Sequence, residues 1–207
     1  MSTLLGIISD PHAAPAALEH ALSIFKQRKI KTIICAGDIA GYFDGLAATV
    51  SLLKKHRVQC IIGNHDQDFL AESTQVNSDE YCFLQQLPLS LTLTIENTRI
   101  YIAHAQPPEE LHGGIKLLSV DGDVIPERVQ QWHEQLRNVD YDILIVGHTH
   151  QVFVERIGEI LVINPGSTAF NHSAMILTLP EKQVEIIALE NREIVKCWNW
   201  GKFARGQ

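Results

Sequence analysis

Several features that mark common classes of protein are scarce in this chain. Only four of its 207 residues are cysteine, and no two form a Cys-x-x-Cys pair, which argues against zinc ribbons and thioredoxin-like redox sites. The formal net charge is −7 and there is no Lys/Arg run, so no nucleic-acid polymer is expected as a partner. A small phosphate ester stays possible, because bound cations would reverse the local sign.

Long apolar segments are also missing. The first ten residues carry no basic leader, and their apolar run is too short for a signal core or a membrane span. Cys35 and Cys60 lie in apolar, strand-like runs and are expected to be buried free thiols. We therefore expect a cytoplasmic, reduced protein that makes no contact with a membrane.

The size of the chain favours a single domain over residues 1–207, with a C-terminal tail at 190–207. The hydrophobic fraction of 45% is ordinary for a globular protein with a real core. The tail is unusually aromatic, with Trp198, Trp200 and Phe203. Packing of the tail on its own domain is the preferred interpretation, and contact with a partner subunit of a homo-oligomer is the alternative.

Buried strands and amphipathic helices alternate in the first third of the chain. This βαβαβ rhythm predicts a parallel sheet with right-handed crossovers. The predicted strands are Leu4–Ser9, Thr32–Cys35 and Gln59–Ile62, and the predicted helices run from Pro15 to about Lys29 and from Gly45 to Lys55.

The second half changes character. Residues Leu89–Ile95 alternate with period two, which indicates a half-exposed strand in a hairpin with Arg99–Ala103. Residues 105–125 form a long, irregular stretch, of the kind that is more often functional than accidental. The pattern predicts an α+β fold of two sheets covered by helices. The other predicted elements are helices at Asp79–Gln86 and Pro126–Leu136 and strands at Ile143–Val146, Ile160–Ile163, Ala174–Leu179 and Val184–Leu189.

Five short clusters rich in His and Asp each follow an apolar, strand-like run. Strand ends are where α/β-type folds present ligands, so the clusters are expected to converge on one rim. Together they supply more oxygen and nitrogen ligands than one ion needs, which favours a two-metal hydrolytic site. The clusters are Asp10-Pro11-His12, Gly37-Asp38, Gly63-Asn64-His65-Asp66, Ile102-Ala103-His104 and Gly147-His148-Thr149-His150.

Spacing within two clusters suits shared metal binding. In an extended segment, residues two apart point the same way, so Asp10 and His12 can reach one ion, whereas His148 and His150 can each reach one ion of a pair. The alternative for the first pair is a capping Asp beside a surface His. His104 follows a strand as a single His and gains weight from the other clusters.

Asp38 is the candidate bridging ligand, because a carboxylate can bind two cations at once. Asn64 offers a neutral carbonyl oxygen to a hard ion. His65 is expected to face the substrate as a general acid, and Asp66 to accept a hydrogen bond from its ring. The alternatives are a capping Asp at 38 and a polar turn at 63–66.

The ordered set of clusters resembles the calcineurin-like metallophosphoesterase superfamily, and residues 37–42 are similar to its small, single-domain prokaryotic phosphodiesterase branch. The motifs span residues 10–167. The resemblance implies a four-layer α/β/β/α sandwich with two divalent ions, Mn²⁺ first, or Fe, Zn²⁺, Ni²⁺ or Mg²⁺. It implies that one ion is held by Asp10, His12, Asp38 and His150, and the second by Asp38, Asn64, His104 and His148.

Two departures from the family pattern affect substrate contacts. The lone His is usually followed by Gly, and here Ala105 follows His104. The turn Asn164-Pro165-Gly166-Ser167, which could shape the pocket floor, is not followed by the Pro-Arg often found there, and Phe170 stands in that stretch.

The resulting hypothesis is hydrolysis of a small phosphoester, most simply a phosphodiester, by a hydroxide held between two ions, with His65 assisting the leaving group. A phosphomonoesterase, of the protein phosphatase or dinucleoside polyphosphate hydrolase type, is the alternative enzyme. Such relatives commonly carry extra Arg residues, whereas Arg99 and Arg156 are expected to face solvent here. A non-catalytic scaffold, like the retromer subunit with this fold, is the alternative without activity.

Overall fold

Two five-stranded β-sheets and five helices make up the computed structural model, which describes residues 2–198. The first half of the chain forms β1 (Thr3–Ile8), α1 (Pro15–Gln27), β2 (Thr32–Cys35), α2 (Leu46–Lys55), β3 (Gln59–Cys60), α3 (Asn64–Glu72) and α4 (Asp79–Gln85). The second half forms β4 (Ser90–Ile95), β5 (Thr98–Ala103), α5 (Pro126–Leu136), β6 (Ile143–Ile145), β7 (Val152–Ile157), β8 (Ile160–Pro165), β9 (Ser173–Leu179) and β10 (Gln183–Ala188).

The first sheet has the order β10-β9-β1-β2-β3. Strands β1, β2 and β3 run parallel, as the βαβαβ rhythm predicts, with Ile8 opposite Cys35 and Cys35 opposite Cys60. Strand β9 returns antiparallel beside β1, and β10 pairs with β9. The parallel strands therefore all end at the same edge of this sheet.

The second sheet has the order β4-β5-β6-β8-β7. Its central strands β5, β6 and β8 are parallel, and the predicted β4–β5 hairpin is confirmed as antiparallel. Strand β7 joins β8 in a second hairpin, closed at Ile157 and Ile160. The carboxyl ends of β5 and β6 thus meet at one edge of this sheet.

Three apolar clusters hold the layers together and confirm the four-layer α/β/β/α arrangement. Side chains from both sheets, including Leu5 and Ile145, pack between them. Leu22 and Phe25 of α1 cover the outer face of the first sheet. Leu136 of α5 packs on the outer face of the second, together with apolar side chains of the 105–125 loop. Burial of these apolar surfaces is the main force that stabilises the fold.

Three elements differ from the predictions. Helix α3 was not predicted, and it forms because Asp66 caps its first turn by accepting a hydrogen bond from the Gly63 N–H. Strand β7 was not predicted, although Gly158, with φ of +60°, closes its hairpin. Strand β3 has only two residues.

Two further expectations can be compared with the described residues. The cysteines at 35, 60, 82 and 197 are all free, and Cys35 and Cys60 are buried as predicted. Within residues 2–198, none of the helices combines the length and the apolar character needed to cross a membrane.

Candidate metal centre

The seven predicted ligand residues lie together at the edge where strands of both sheets end. Asp10 and His12 follow β1, Asp38 follows β2, and Asn64 begins α3 just after β3. His104 follows β5, and His148 and His150 follow β6. Potential ligand atoms form three groups whose members lie within 4.8 Å of one another, and these groups are Asp10/His12/His150, His12/Asp38/His65 and Asp38/His104/His148.

The backbone at Asp10, His12, His148 and His150 differs from the extended conformation that was expected there. Asp10, His12, Asp38, His148 and His150 have φ values of 51°, 46°, 54°, 62° and 48°. This left-handed region is uncommon for residues other than glycine, and such strained positions concentrate at functional sites. The sharp turns, rather than a period of two, direct the paired side chains of each cluster into the site.

The first group is centred on two imidazoles. The Nε2 atoms of His12 and His150 are 2.9 Å apart, and His150 Nε2 lies 3.4 Å from Asp10 Oδ1. Asp10 is fully buried and also accepts the backbone N–H of His148 at 3.1 Å. The first and fifth clusters are therefore joined directly.

The Asp38/His104/His148 group collects its nitrogen and oxygen atoms around Asn64. His104 Nε2 lies 3.1 Å from Asn64 Oδ1 and 3.3 Å from Asp38 Oδ1. His148 Nδ1 lies 2.9 Å from the same Asn64 oxygen. This group joins residues from four motif loops, which follow strands of two different sheets.

Asp38 lies between the Asp10/His12/His150 group and the group around Asn64. Its Oδ2 faces His12 Nε2 at 4.0 Å, while its Oδ1 faces His104 Nε2 at 3.3 Å and accepts the backbone N–H of His65 at 2.9 Å. One carboxylate thus presents an oxygen to each group, which is the geometry that a bridging ligand requires.

The pattern of hydrogen bonds provides a test of whether a cation fits. His104 Nδ1 lies 2.7 Å from Ala36 O, which assigns the proton to Nδ1 and leaves a lone pair on Nε2. His12 Nδ1 lies 3.2 Å from Ala40 O, with the same consequence. The Nε2 lone pair of His104 then faces the oxygen atoms of Asn64 and Asp38, an arrangement that a bound cation would stabilise. The donor set of imidazoles, carboxylates and an amide oxygen fits divalent metals.

Burial and neighbouring charges shift the pKa values of the site histidines in different directions. Burial lowers the pKa of His12 and of His148 to about 4, so both are neutral and able to act as ligands at pH 7. Burial also acts to lower the pKa of His104, but the neighbouring Asp38 carboxylate raises it to about 9. Burial acts to raise the pKa of Asp38, and the charge and hydrogen bond of His104 hold it below its usual range.

Glycines allow the backbone to approach the two carboxylates closely. A Cβ atom at Gly63 would lie 2.1 Å from Asp38 Oδ1, and one at Gly147 would lie 2.1 Å from Ser9 Oγ and 2.6 Å from Asp10 Oδ2. These distances are far below van der Waals contact. Any larger residue at either position would displace a candidate ligand.

The hydrogen bonds of Asp66 differ from the expectation. Its Oδ1 accepts the Ala40 N–H at 2.7 Å and its Oδ2 accepts the Gly63 N–H at 2.8 Å, so both carboxylate oxygens bind backbone rather than the His65 ring. Buried oxygens seek such partners, because an unsatisfied polar group is costly. Asp66 therefore holds two site loops together, and its predicted role in orienting His65 is corrected.

His65 lies at the mouth of the site. Its ring is perpendicular to that of His12, with 5.0 Å between the ring centroids. It is half-buried and lines a cavity of about 380 Å³, together with Asp38, Tyr42, Lys116, His148, Thr149, His150, Gln151, Cys197 and Trp198. A residue at this place can contact both a bound substrate and the candidate metal ligands.

The turn at 164–167 supports the floor of the site. The side chain of Asn164 donates to Gly147 O at 2.9 Å, and Ser167 Oγ donates to Asp10 O at 2.6 Å. These bonds hold the first and fifth clusters from below. The role of this turn in shaping the pocket therefore agrees with the sequence interpretation.

The long loop and the tail supply side chains that motif analysis missed. Lys116 lines the cavity from the 105–125 loop, and no local pattern distinguishes it. The Trp198 N–H donates to His150 O at 3.1 Å, so this part of the tail packs on its own chain, as preferred. Trp200 and Phe203 lie outside the described residues.

Comparison with known proteins identifies the family. The calcineurin-like phosphoesterase superfamily domain matches residues 3–182, and the chain therefore belongs to this superfamily. The chain is 27% identical over 191 residues to a probable metallophosphoesterase of Methanothermobacter thermautotrophicus, which covers 88% of this chain and 89% of the relative. It is 24% identical over 200 residues to the phosphodiesterase YfcE of Escherichia coli, with 90% and 92% covered.

Structural comparison gives the same fold. A crystal structure of a hypothetical protein from Pyrococcus horikoshii has a TM-score of 0.72 at 16% identity, covering 98% of this chain and 92% of the other. The family is metal-dependent, and the clusters described above could bind metal. The chain is thus a phosphoester hydrolase.

Proposed function

We propose that this protein is a phosphodiesterase that uses two divalent metal ions. One observation carries the proposal: the Asp38 carboxylate presents Oδ2 to His12 and Oδ1 to His104, at the boundary of two ligand groups. The first ion would be held by Asp10, His12, Asp38 and His150. The second would be held by Asp38, Asn64, His104 and His148.

When bound, such a pair of ions supplies a nucleophilic water at neutral pH and stabilises charge on phosphorus. The protein positions the ester beside His65, which lines the cavity mouth. The proposal leaves His65 out of both ligand sets, although its ring also lies near His12 and Asp38. As water adds to phosphorus and the bond to the leaving oxygen breaks, His65 donates a proton to that oxygen. Proton donation of this kind contributes roughly 10²- to 10⁴-fold in rate.

The charges around the cavity favour a diester over a monoester. Among the described residues that line the cavity, Lys116 is the one Lys, and none is Arg. Arg99 forms an ion pair with Asp140, and Arg156 donates to Glu159 O, so both are engaged elsewhere on the surface. A monoester dianion needs more cationic partners than a diester anion does, which supports diester specificity.

The remaining assignments belong to the same proposal. We propose Mn²⁺ first, because the carboxylate and amide oxygens of the set suit it. Four free cysteines agree with a reducing compartment, for which we propose the cytoplasm. The organisation of residues 1–207 as one domain stays a prediction, as does a homo-oligomeric state.

The test compares a diester with a monoester after metal removal and restoration. Protein stripped with chelator and restored with Mn²⁺ is assayed on bis-p-nitrophenyl phosphate and p-nitrophenyl phosphate. We expect metal-dependent turnover that favours the diester and is lost in Asp38→Asn. Asp68→Asn is the matched control, because Asp68 is an exposed acid on α3.

Two results would overturn the proposal. Preference for the monoester would establish a phosphomonoesterase. Tight metal binding with no turnover of either ester would favour a scaffold on the same fold.

A further inference from the structure

Four aromatic side chains, Tyr42, Phe43, Phe170 and Trp198, form an aromatic wall beside the candidate metal centre. Phe170 stacks on Trp198 with ring centroids 4.2 Å apart and an interplanar angle of 26°. Tyr42 meets Phe170 edge to face at 5.4 Å, and Phe43 lies 5.7 Å from the same ring. The wall therefore joins residues that are far apart in sequence.

The aromatic wall contacts His65, the proposed proton donor, and two candidate metal ligands, His12 and His150. The Tyr42 ring lies 4.7 Å from that of His65 and 4.8 Å from that of His12. Phe170 stacks on His150 at 5.3 Å. A group bound to the oxygen that His65 protonates would lie within reach of Tyr42.

Part of the wall faces the substrate cavity. Tyr42 and Trp198 are among its lining residues, and Tyr42 is 42% exposed. The neighbouring Phe43 is 47% exposed. Aromatic rings that stay exposed to water lose the free energy that burial of their apolar surface would provide. An exposed apolar patch beside a polar site therefore indicates a surface that binds a ligand.

Phe170, a member of the aromatic wall, lies in the sequence stretch where the family pattern often has an arginine. Residues 168–172 read Thr-Ala-Phe-Asn-His, and Phe170 contacts two candidate metal ligands, His12 and His150. Replacing a phosphate-binding cation by a flat, apolar surface changes what the site can recognise. The surface suits a planar, uncharged group attached to the phosphate rather than a further anionic oxygen.

From this geometry we infer that the aromatic wall is the subsite for a planar aromatic group on the leaving side of the diester, a nucleobase being its common biological form. Stacking on aromatic side chains holds such groups without reading their hydrogen bonds. The inference rests on the proposed phosphodiesterase function and adds the substrate class to it.

The test uses an ester in which the two sides differ. With the methyl ester of adenosine monophosphate, the wall directs adenosine to the leaving side. Water adds to phosphorus, the bond from phosphorus to the adenosine oxygen breaks, and that oxygen takes a proton. We expect adenosine and methyl phosphate as products, rather than adenosine monophosphate and methanol.

Specificity is measured as a ratio of kcat/KM values. The reference substrate is the corresponding ester of ribose phosphate, which lacks the base, and benzyl methyl phosphate tests an aromatic ring that is not a nucleobase. Tyr42→Ala should lower the ratio of adenosine ester to ribose ester by roughly 5- to 160-fold, the range given by base stacking. Tyr42→Phe should keep the ratio, because it keeps the stacking surface.

The control is Tyr81→Leu, which removes an aromatic ring of α4 outside the cavity and should leave the ratio unchanged. Thermal unfolding of each variant separates a binding effect from a loss of fold. Equal turnover of the adenosine and ribose esters by the native protein would overturn the subsite alone. Turnover of none of the diesters would instead overturn the proposed function.

Discussion

Substitution of Gly63 by alanine should disable the candidate metal centre without replacing any of the candidate ligands. Gly63 has an extended backbone, with φ of −110° and ψ of 179°, so alanine meets no conformational strain there. Its Cβ would however lie 2.1 Å from Asp38 Oδ1 and 2.3 Å from the Asp38 backbone nitrogen. The effect is therefore steric and is aimed at the proposed bridging ligand.

The magnitude follows from that overlap. An ordinary carbon–oxygen contact requires the Asp38 carboxylate or the 63–66 loop to move by about 1 Å or more. Overpacking of a buried site costs about 1–3 kcal/mol in the free energy of unfolding. Misplacement of a reacting group by about 1 Å costs about 10²-fold in rate. We expect both losses in Gly63→Ala, together with weaker binding of Mn²⁺.

Three measurements check this prediction: urea unfolding, Mn²⁺ titration and diester turnover at saturating metal. Gly158→Ala is the control, because Gly158 closes the β7–β8 hairpin away from the site and has φ of +60°. That variant should lose about 1–2 kcal/mol of stability, the cost of a left-handed backbone for a residue other than glycine, and keep its activity. Native metal affinity and rate in Gly63→Ala would refute the assignment of Asp38.

Two other substitutions test separate roles at the same edge. His65→Ala should keep its bound metal, while its diester turnover should fall by about 10²- to 10⁴-fold. His56→Ala is the control. An unchanged rate in His65→Ala would exclude the proton-donor role. Asp66→Asn places an amide N–H₂ group against one of two backbone N–H donors, and should lower the free energy of unfolding in urea by about 1–3 kcal/mol. Asp68→Asn, at an exposed position, is the control. Equal stability of the two variants would contradict the structural role of Asp66.

Much of the fold could be predicted from local patterns. The bounds of β2 and α5 agree with the prediction, because Thr32–Cys35 is a short apolar run and Pro126 suits the first turn of a helix. The β4–β5 hairpin followed from alternation on a half-exposed strand. Each of these signals comes from residues close in sequence.

One missed element, helix α3, depends on a contact between residues that are distant in sequence. Helix α3 has little apolar periodicity and is capped by Asp66, whose second oxygen binds the Ala40 N–H from another loop. That second bond also explains why the side-chain role predicted for Asp66 was wrong. The motif Gly-Asn-His-Asp indicates a polar site but does not specify the partner of each atom.

Only part of the candidate site could be predicted, for the same reason. The order and spacing of the five clusters predicted the seven candidate ligands, because each cluster follows a strand. The left-handed backbone at Asp10 and His148 could not be read from those motifs, since neither residue is glycine. The positions of Lys116 and Trp198 depend on the paths of a long loop and a tail, which carry no periodic signal.

The number of metal ions bound to each chain tests the central claim most directly. Protein stripped with chelator, reloaded with Mn²⁺ and freed of excess metal is analysed by elemental mass spectrometry beside Asp38→Asn and Asp68→Asn. We predict about two ions per chain for the native protein and for Asp68→Asn, and fewer for Asp38→Asn. One ion or none in the native protein, or an unchanged count in Asp38→Asn, would contradict a dinuclear centre bridged by Asp38.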